Sequence, residues 1–140
     1  DILFIERCLD LLKPGGRMAI VLPDGILGNN GLEYVRQYIL NNADIVAIID
    51  CPVESFLPST DTKTSLLILK KKKREGLPQT FDTFMAIAKT CGHDRRGKEI
   101  YVRDENGDPV IVDGNAVIDN DFVEITRRLV EHVKTRNIYN

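Results

Sequence analysis

A chain of 140 residues is long enough for one domain with a buried core, and 43% hydrophobic with 29% charged residues is typical of a globular protein in water. A net charge of -2 argues against a free-standing nucleic-acid-binding module, which usually carries a strong basic excess, but it leaves open a DNA-contacting part of a larger assembly. No apolar run approaches the roughly 20 residues of a membrane span, and no signal peptide opens the chain. We therefore expect a cytoplasmic protein with three reduced cysteines, no metal site and no membrane contact.

The first predicted elements are a helix and a buried strand. Apolar side chains recur at helical spacing over residues 2–12, and Pro14 with Gly15-Gly16 ends that helix. The run over residues 18–22 is short and continuously apolar, as in a strand covered on both faces. It leads into the turn Pro23-Asp24-Gly25. Since ligands bind at the carboxyl ends of strands in open α/β sheets, Pro23 and Asp24 are candidate substrate-binding residues; the alternative is that Asp24 only forms the turn.

Two further strands follow. Asn29 or Asn30 caps a predicted helix over residues 31–41, and a second buried strand over residues 45–49 ends at Asp50. The strand–helix–strand spacing requires a right-handed parallel crossover. The loop to the third strand, at residues 64–69, is too short for another helix. We therefore predict that the second and third strands form an antiparallel pair at the end of the sheet.

Beyond residue 74 the pattern changes, and we divide the chain there into regions 1–74 and 75–140. A linker over residues 75–79 precedes a predicted strand over residues 84–88 and a polar turn over residues 92–97. Asn106-Gly107 favours a turn with positive φ at both central residues, closing a hairpin between residues 99–103 and 109–112. A helix capped by Asp119, Asn120 or Asp121 ends the chain, with His132 expected to be exposed.

Each chemical candidate has a structural alternative. Gly15-Gly16 precedes a strand instead of following one, so it indicates a helix end and not a phosphate loop. The lysine run, with Lys70 and Lys71, could contact DNA phosphates or be a solvated strand end. Arg95 and Arg96 could contact phosphate or an acidic partner, although turn formation alone explains their neighbours. Phe56, in a loop with two prolines, is either core or the wall of a pocket. No residue qualifies as catalytic.

Taken together, residues 11–25, 45–52 and 56–69 resemble the closing strands of amino-methylating DNA methylases. The nearest resemblance is to the modification (M) subunit of type I restriction–modification systems, which the segments 84–88 and 92–97 resemble specifically. The resemblance implies the C-terminal part of a Rossmann-like α/β methyltransferase sheet, with its last strands and one antiparallel strand, followed by a hairpin and a helix. Such a sheet has seven strands, of which this chain would supply the last three.

The resemblance also implies a reaction, in which a methyl group passes from S-adenosylmethionine to the N6 amino group of a flipped adenine. Phe56 matches the aromatic position that lines the adenine pocket, and Lys63 and Thr64 match the start of the last strand. The Asn-Pro-Pro-Tyr/Phe motif and the glycine-rich cofactor loop are absent here and are expected upstream of Asp1, so the chain alone is expected to be inactive and to lack the cofactor site. The implied partners are DNA, a specificity subunit that docks beyond about residue 75, and a restriction subunit.

Two other classes remain open. One is a stand-alone α/β binding module that docks a protein partner through the Arg95-Arg96 turn and the hairpin at residues 99–112. The other is a methylase that acts on RNA or protein. The coding sequence upstream separates them, because an Asn-Pro-Pro-Tyr/Phe motif there selects the DNA enzyme and an initiator Met selects the module.

Overall fold

A computed structural model describes residues 1–139 as a mixed α/β arrangement. The helices and strands, in chain order, are α1 (Ile2–Leu11), β1 (Arg17–Pro23), α2 (Asp24–Gly28), α3 (Glu33–Asn42), β2 (Ala43–Asp50), β3 (Thr64–Lys71), β4 (Phe84–Ile87), β5 (Ile111–Val112), β6 (Asn115–Ala116) and α4 (Asp121–Thr135). The predicted α1, β1, α3, β2, β3, β4 and α4 are therefore confirmed, with boundaries shifted by a few residues. The expected burial of β1 on both faces is wrong, because this strand lies at the edge of the described sheet and alternates, with Ile20 and Leu22 buried and Val21 43% exposed. None of the helices among the described residues combines the length and apolarity needed to cross a membrane.

The main sheet has four strands in the order β1-β3-β2-β4. β3 runs antiparallel to both β1 and β2, so β1 and β2 are parallel to each other, and β4 pairs with β2 in parallel. The predicted antiparallel pairing of the second and third strands is confirmed, but its predicted place at the end of the sheet is wrong. β3 instead lies between β1 and β2, where the backbone N–H and C=O groups along both of its edges form hydrogen bonds with a neighbouring strand.

Helices cover parts of both faces of this sheet. On one face α1 and α3 pack their apolar sides against β1 and β3, with Ile5, Leu9 and Leu67 each 1% exposed and Leu69 fully buried. On the other face α4 packs on β2 and β4, where Ile125 meets Ile49. The helices cover these faces only in part, since Met85 and Ile87 of β4 and Val21 of β1 remain exposed.

Two local expectations about the first strand and the last helix are wrong. Pro23-Asp24-Gly25 is not an isolated turn, because Asp24 begins the short helix α2 and Pro23 is its N-cap. His132 is not exposed but is 9% accessible, with Nε2 2.9 Å from the Asp82 carbonyl oxygen and its ring edge-on to Phe84. The polar ring lies on the apolar side of α4 because this carbonyl gives it a hydrogen-bond partner.

The predicted hairpin at residues 99–112 is partly confirmed. Arg103 bridges to Pro109, and the Val110 N–H donates to the Val102 carbonyl, so the two segments do pair around Asn106-Gly107. The turn type is wrong, however, since Gly107 has φ +82° while Asn106 does not have positive φ. Asp104 accepts two backbone N–H groups inside this turn and closes it as a wider loop. The tight two-residue turn lies instead between β5 and β6, at Asp113-Gly114.

Candidate functional site

Three strand ends meet at one edge of the main sheet. β1 and β2 end there with Pro23 and Asp50, and β3 begins there with Thr64, which the register places opposite Pro23. Backbone hydrogen bonds extend the pairing past the strands, since Asp24 N–H donates to the Lys63 carbonyl at 3.1 Å and Cys51 N–H to the Thr64 carbonyl at 3.1 Å. The inserted antiparallel strand therefore brings together four of the predicted site residues, Pro23, Asp24, Lys63 and Thr64.

A single ammonium group lies between two carboxylates at this edge. Lys63 Nζ is 3.7 Å from an oxygen of Asp24 and donates a hydrogen bond to Asp50. Desolvation lowers the pKa of Lys63, but the hydrogen bond to Asp50 and the negative charges of Asp50 and Asp24 outweigh it, so the pKa is raised. Lys63 is therefore a fixed cation at neutral pH, and with two acidic neighbours the cluster carries a net negative charge.

A buried polar layer lies behind this cluster. Ser65 is 5% exposed and its hydroxyl donates to Asp24 Oδ1 at 2.8 Å, which holds that carboxylate in place. Cys51 is buried too; its thiol donates to the Ile49 carbonyl at 3.7 Å, and burial raises the pKa of the thiol. A thiol of this kind is a packing group and not an activated nucleophile.

The sequence argument missed Asp50 and Ser65 as members of the site. Asp50 had a usable signal, because an acidic residue directly after a buried strand lies at the carboxyl edge of the sheet. Ser65 had none, because its role depends on the insertion of β3 beside β1.

Phe56 lies in the loop between β2 and β3, in a short 3₁₀ turn over Val53–Phe56. The turn is closed locally, since Ser55 Oγ donates to the Pro52 carbonyl at 2.7 Å and Thr60 N–H donates to the Phe56 carbonyl at 3.0 Å. Phe56 is 42% exposed and lies outside the two buried clusters that the structure describes. Of the two readings of this residue, the exposed ring favours a surface role over core packing.

The polar turn at residues 92–97 is next to the same loop. Arg95 Nε is 3.8 Å from Glu54, two residues before Phe56. A cavity of about 240 Å³ opens between these two segments; its lining residues are Glu54, Lys89, Thr90, Cys91, His93, Asp94, Arg95 and Ile100. Arg96 is exposed, and its backbone N–H donates to the Asp94 carboxylate. The structure thus places Arg95 near the Phe56 loop and leaves Arg96 facing solvent.

The remaining candidates lie at the opposite edge of the sheet. Lys71 Nζ donates to the carbonyls of Leu9 and Leu12 at the end of α1, and Lys70 Nζ donates to the Ile138 carbonyl. The lysine run is therefore engaged in part by the chain's own backbone. Within residues 1–139 no group of three or more His, Cys, Asp or Glu side chains could hold a metal ion.

Among known proteins, one family matches nearly the whole chain. The model of the N-6 DNA methylase family matches residues 1–135. A curated relative, the methylase subunit of the Escherichia coli type I restriction enzyme EcoEI, is 31% identical over 70 residues, which are 49% of this chain and 14% of the relative.

Two solved structures have a similar fold. A Listeria monocytogenes protein assigned to the class I S-adenosylmethionine-dependent methyltransferases has 30% identity and a TM-score of 0.51 over 61% of this chain and 26% of its own. A chain from a type I restriction–modification system has 18% identity and a TM-score of 0.55 over 97% of this chain and 24% of its own, and shows the fold alone. The present chain spans about a quarter or less of each of these relatives.

Proposed function

This chain belongs to the N-6 DNA methylase family, and we propose that the protein it forms part of is the modification subunit of a type I restriction–modification system. The reaction is transfer of a methyl group from S-adenosylmethionine to the N6 amino group of an adenine in DNA. Residues 1–74 are the C-terminal part of the methyltransferase sheet, and residues 75–140 extend it. The role of this part is to hold the flipped adenine at the carboxyl edge of the sheet.

The exposed ring of Phe56 is the observation that carries this assignment. An aromatic ring that is 42% exposed, on a turn closed by its own hydrogen bonds, offers a flat apolar face on the loop that joins the ends of β2 and β3. A base removed from a duplex needs such a face, because stacking replaces part of the energy lost on unstacking. We assign Pro23, Asp24, Lys63 and Thr64, at the edge of the sheet where this loop begins and ends, to the polar side of the base site.

The glycine pair Gly15-Gly16 does not fit a loop that binds S-adenosylmethionine. Gly15 and Gly16 lie at the far edge of the sheet, and their N–H groups donate to the carbonyls of Lys71 and Lys13. A Cβ on Gly16 would be 2.8 Å from the Lys13 carbonyl oxygen, so this glycine serves a tight turn and not a ligand. We therefore assign the cofactor, which supplies the methyl group, to a part of the enzyme outside this chain.

DNA and the other subunits are the proposed partners. We assign Arg95, beside the Phe56 loop, and the solvent-facing Arg96 to contacts with DNA phosphate or with an acidic surface of the specificity subunit. Lys70 and Lys71 are assigned to the same kind of contact at the far edge, where each ammonium group already has carbonyl partners. A restriction subunit completes the assembly, which acts on DNA in the cytoplasm.

Product analysis tests this function. The full-length subunit with its partner subunits is incubated with methyl-labelled S-adenosylmethionine and unmethylated bacteriophage DNA, and the nucleosides are separated after digestion. The proposal predicts label in N6-methyl-2′-deoxyadenosine from the DNA. Label in cytosine, RNA or protein, or no transfer by the assembled complex, contradicts it.

A further inference from the structure

The loop that carries Phe56 is anchored at its second end by Lys63. The loop leaves β2 after Asp50 and returns to the sheet at Lys63, directly before β3 begins. Phe56 therefore precedes Lys63 by seven residues in the sequence, and the Lys63 side chain has two acidic partners. A displacement of that anchor shifts the path by which the whole loop reaches the sheet.

The two carboxylates that Lys63 contacts come from strands that are not neighbours. Asp24 follows β1 and Asp50 ends β2, and β3 lies between these strands. No ladder of backbone hydrogen bonds joins β1 to β2 within the described sheet, so the Lys63 ammonium links the two ends across β3. Without that cation Asp24 and Asp50 would face each other as like charges, which repel.

We propose that Lys63 is a positioning residue, whose ammonium group, shared between Asp24 and Asp50, fixes the end of the loop that holds Phe56 against the flipped base. This inference rests on the proposed function, since it gives Lys63 a role in that reaction. The hydroxyl of Ser65 supports the arrangement, because its bond to Asp24 Oδ1 leaves the other carboxylate oxygen facing Lys63.

The competing reading is that Lys63 binds a DNA phosphate. Its ammonium group already has two carboxylate partners, and the three charges together are negative. A phosphate approaching this cluster meets repulsion from Asp24 and Asp50. The two readings differ in a measurable way, because each phosphate contact adds close to one unit to the slope of DNA affinity against salt concentration.

Lys72 provides a matched control at the other end of β3. Its ammonium group is 3.6 Å from Asp44, and both side chains are more buried than those at the Lys63 cluster. Removing either lysine takes one cation from an ion pair at an end of β3. Lys72→Met removes it far from the Phe56 loop and so reports what general destabilisation alone does.

The experiment is a double-mutant cycle in the full-length subunit with its partner subunits, on unmethylated bacteriophage DNA. Wild type, Lys63→Met, Lys63→Arg, Phe56→Ala and the double variant Lys63→Met with Phe56→Ala are compared by kcat for methyl transfer, normalised to folded protein. We expect Lys63→Met to lower kcat about tenfold, Lys63→Arg to recover most of it, and the double variant to be no slower than Phe56→Ala alone. Lys72→Met should lower the melting temperature and leave normalised kcat unchanged.

Two outcomes overturn the inference while leaving the proposed function intact. Effects of Lys63→Met and Phe56→Ala that multiply show that the two residues act independently. A salt slope of DNA binding that falls by about one in Lys63→Met identifies a phosphate contact instead. Failure of the wild-type complex to methylate adenine is a separate result, because it refutes the proposed function itself.

Discussion

Replacement of Phe56 by Ala separates a base-stacking ring from a packing ring. The proposed pocket loses the aromatic face on which the adenine stacks, while the strand ends and their polar cluster stay in place. Phe56→Leu is the matched variant, because it keeps most of the apolar volume and removes only the ring. Both changes are made in the full-length subunit assembled with its partners.

The expected magnitudes follow from the exposure of the ring. Base–aromatic stacking contributes roughly 1–3 kcal/mol, which corresponds to about a 5- to 150-fold loss in the rate of methyl transfer. A fully buried Phe costs about 3–5 kcal/mol of stability when cut to Ala. Since Phe56 is 42% exposed and outside both buried clusters, we expect its removal to cost less than about 2 kcal/mol.

The assay measures melting temperature, cofactor affinity and single-turnover methyl transfer on the same preparations. Phe56→Ala and Phe56→Leu should both transfer methyl groups slowly, with cofactor affinity and melting temperature close to wild type. A large fall in melting temperature with a normal transfer rate per folded molecule would refute the reasoning and make Phe56 a packing residue.

Three further predictions concern the stability and ionisation of the described residues. Gly107→Val should lower the free energy of unfolding in denaturant by about 1 kcal/mol or more, because φ at this position is +82°, even though a Cβ there would meet open space. Gly28→Ala is the control, since Gly28 has no positive φ and its replacement should not destabilise the protein. Equal effects of the two changes would contradict this. His132→Ala should lower the free energy of unfolding by roughly 1–3 kcal/mol in thermal unfolding, since it removes the hydrogen bond to the Asp82 carbonyl and the packing on Phe84. Unchanged stability would contradict the buried position of His132. Hydrogen bonds from Arg127, and to a smaller extent from Arg128, lower the pKa of Glu124 to about 2. The contribution of these ion pairs to stability is therefore present above about pH 4.5 and lost as the pH falls toward 2. A midpoint near 4.5 in an NMR titration of this carboxyl group would contradict the ion pairs.

The sequence was most informative where local pattern and burial coincide. The apolar runs of β1, β2 and β3 and the helical spacing of α1 predicted these elements, because each buries a continuous face. The position of β3 was missed, since the choice between an edge and a central place is made by pairing with distant strands. His132 was misjudged for a similar reason, because its partner, the Asp82 carbonyl, is 50 residues away in sequence.

The candidate site was predicted in outline only. Asp24 was selected by its position after a strand and Lys63 by the family resemblance, and the structure brings them within 3.7 Å of each other. The second carboxylate at Lys63, that of Asp50, and the supporting Ser65 depend on the register of β3 with its two neighbours. No local pattern encodes that register across a loop of this length. The Asn106-Gly107 turn shows the same limit, since Asp104 closes it as a wider loop than the dipeptide suggests.

Photocrosslinking tests the central claim most directly, namely that the Phe56 loop contacts the adenine that is methylated. Unmethylated DNA in which 8-azidoadenine replaces part of the adenine is bound to the full-length complex, irradiated and mapped by mass spectrometry. The account predicts adducts within residues 53–62, which disappear when the DNA has been methylated beforehand at its target sites. Adducts confined to other segments, on DNA that the same complex methylates, would contradict it.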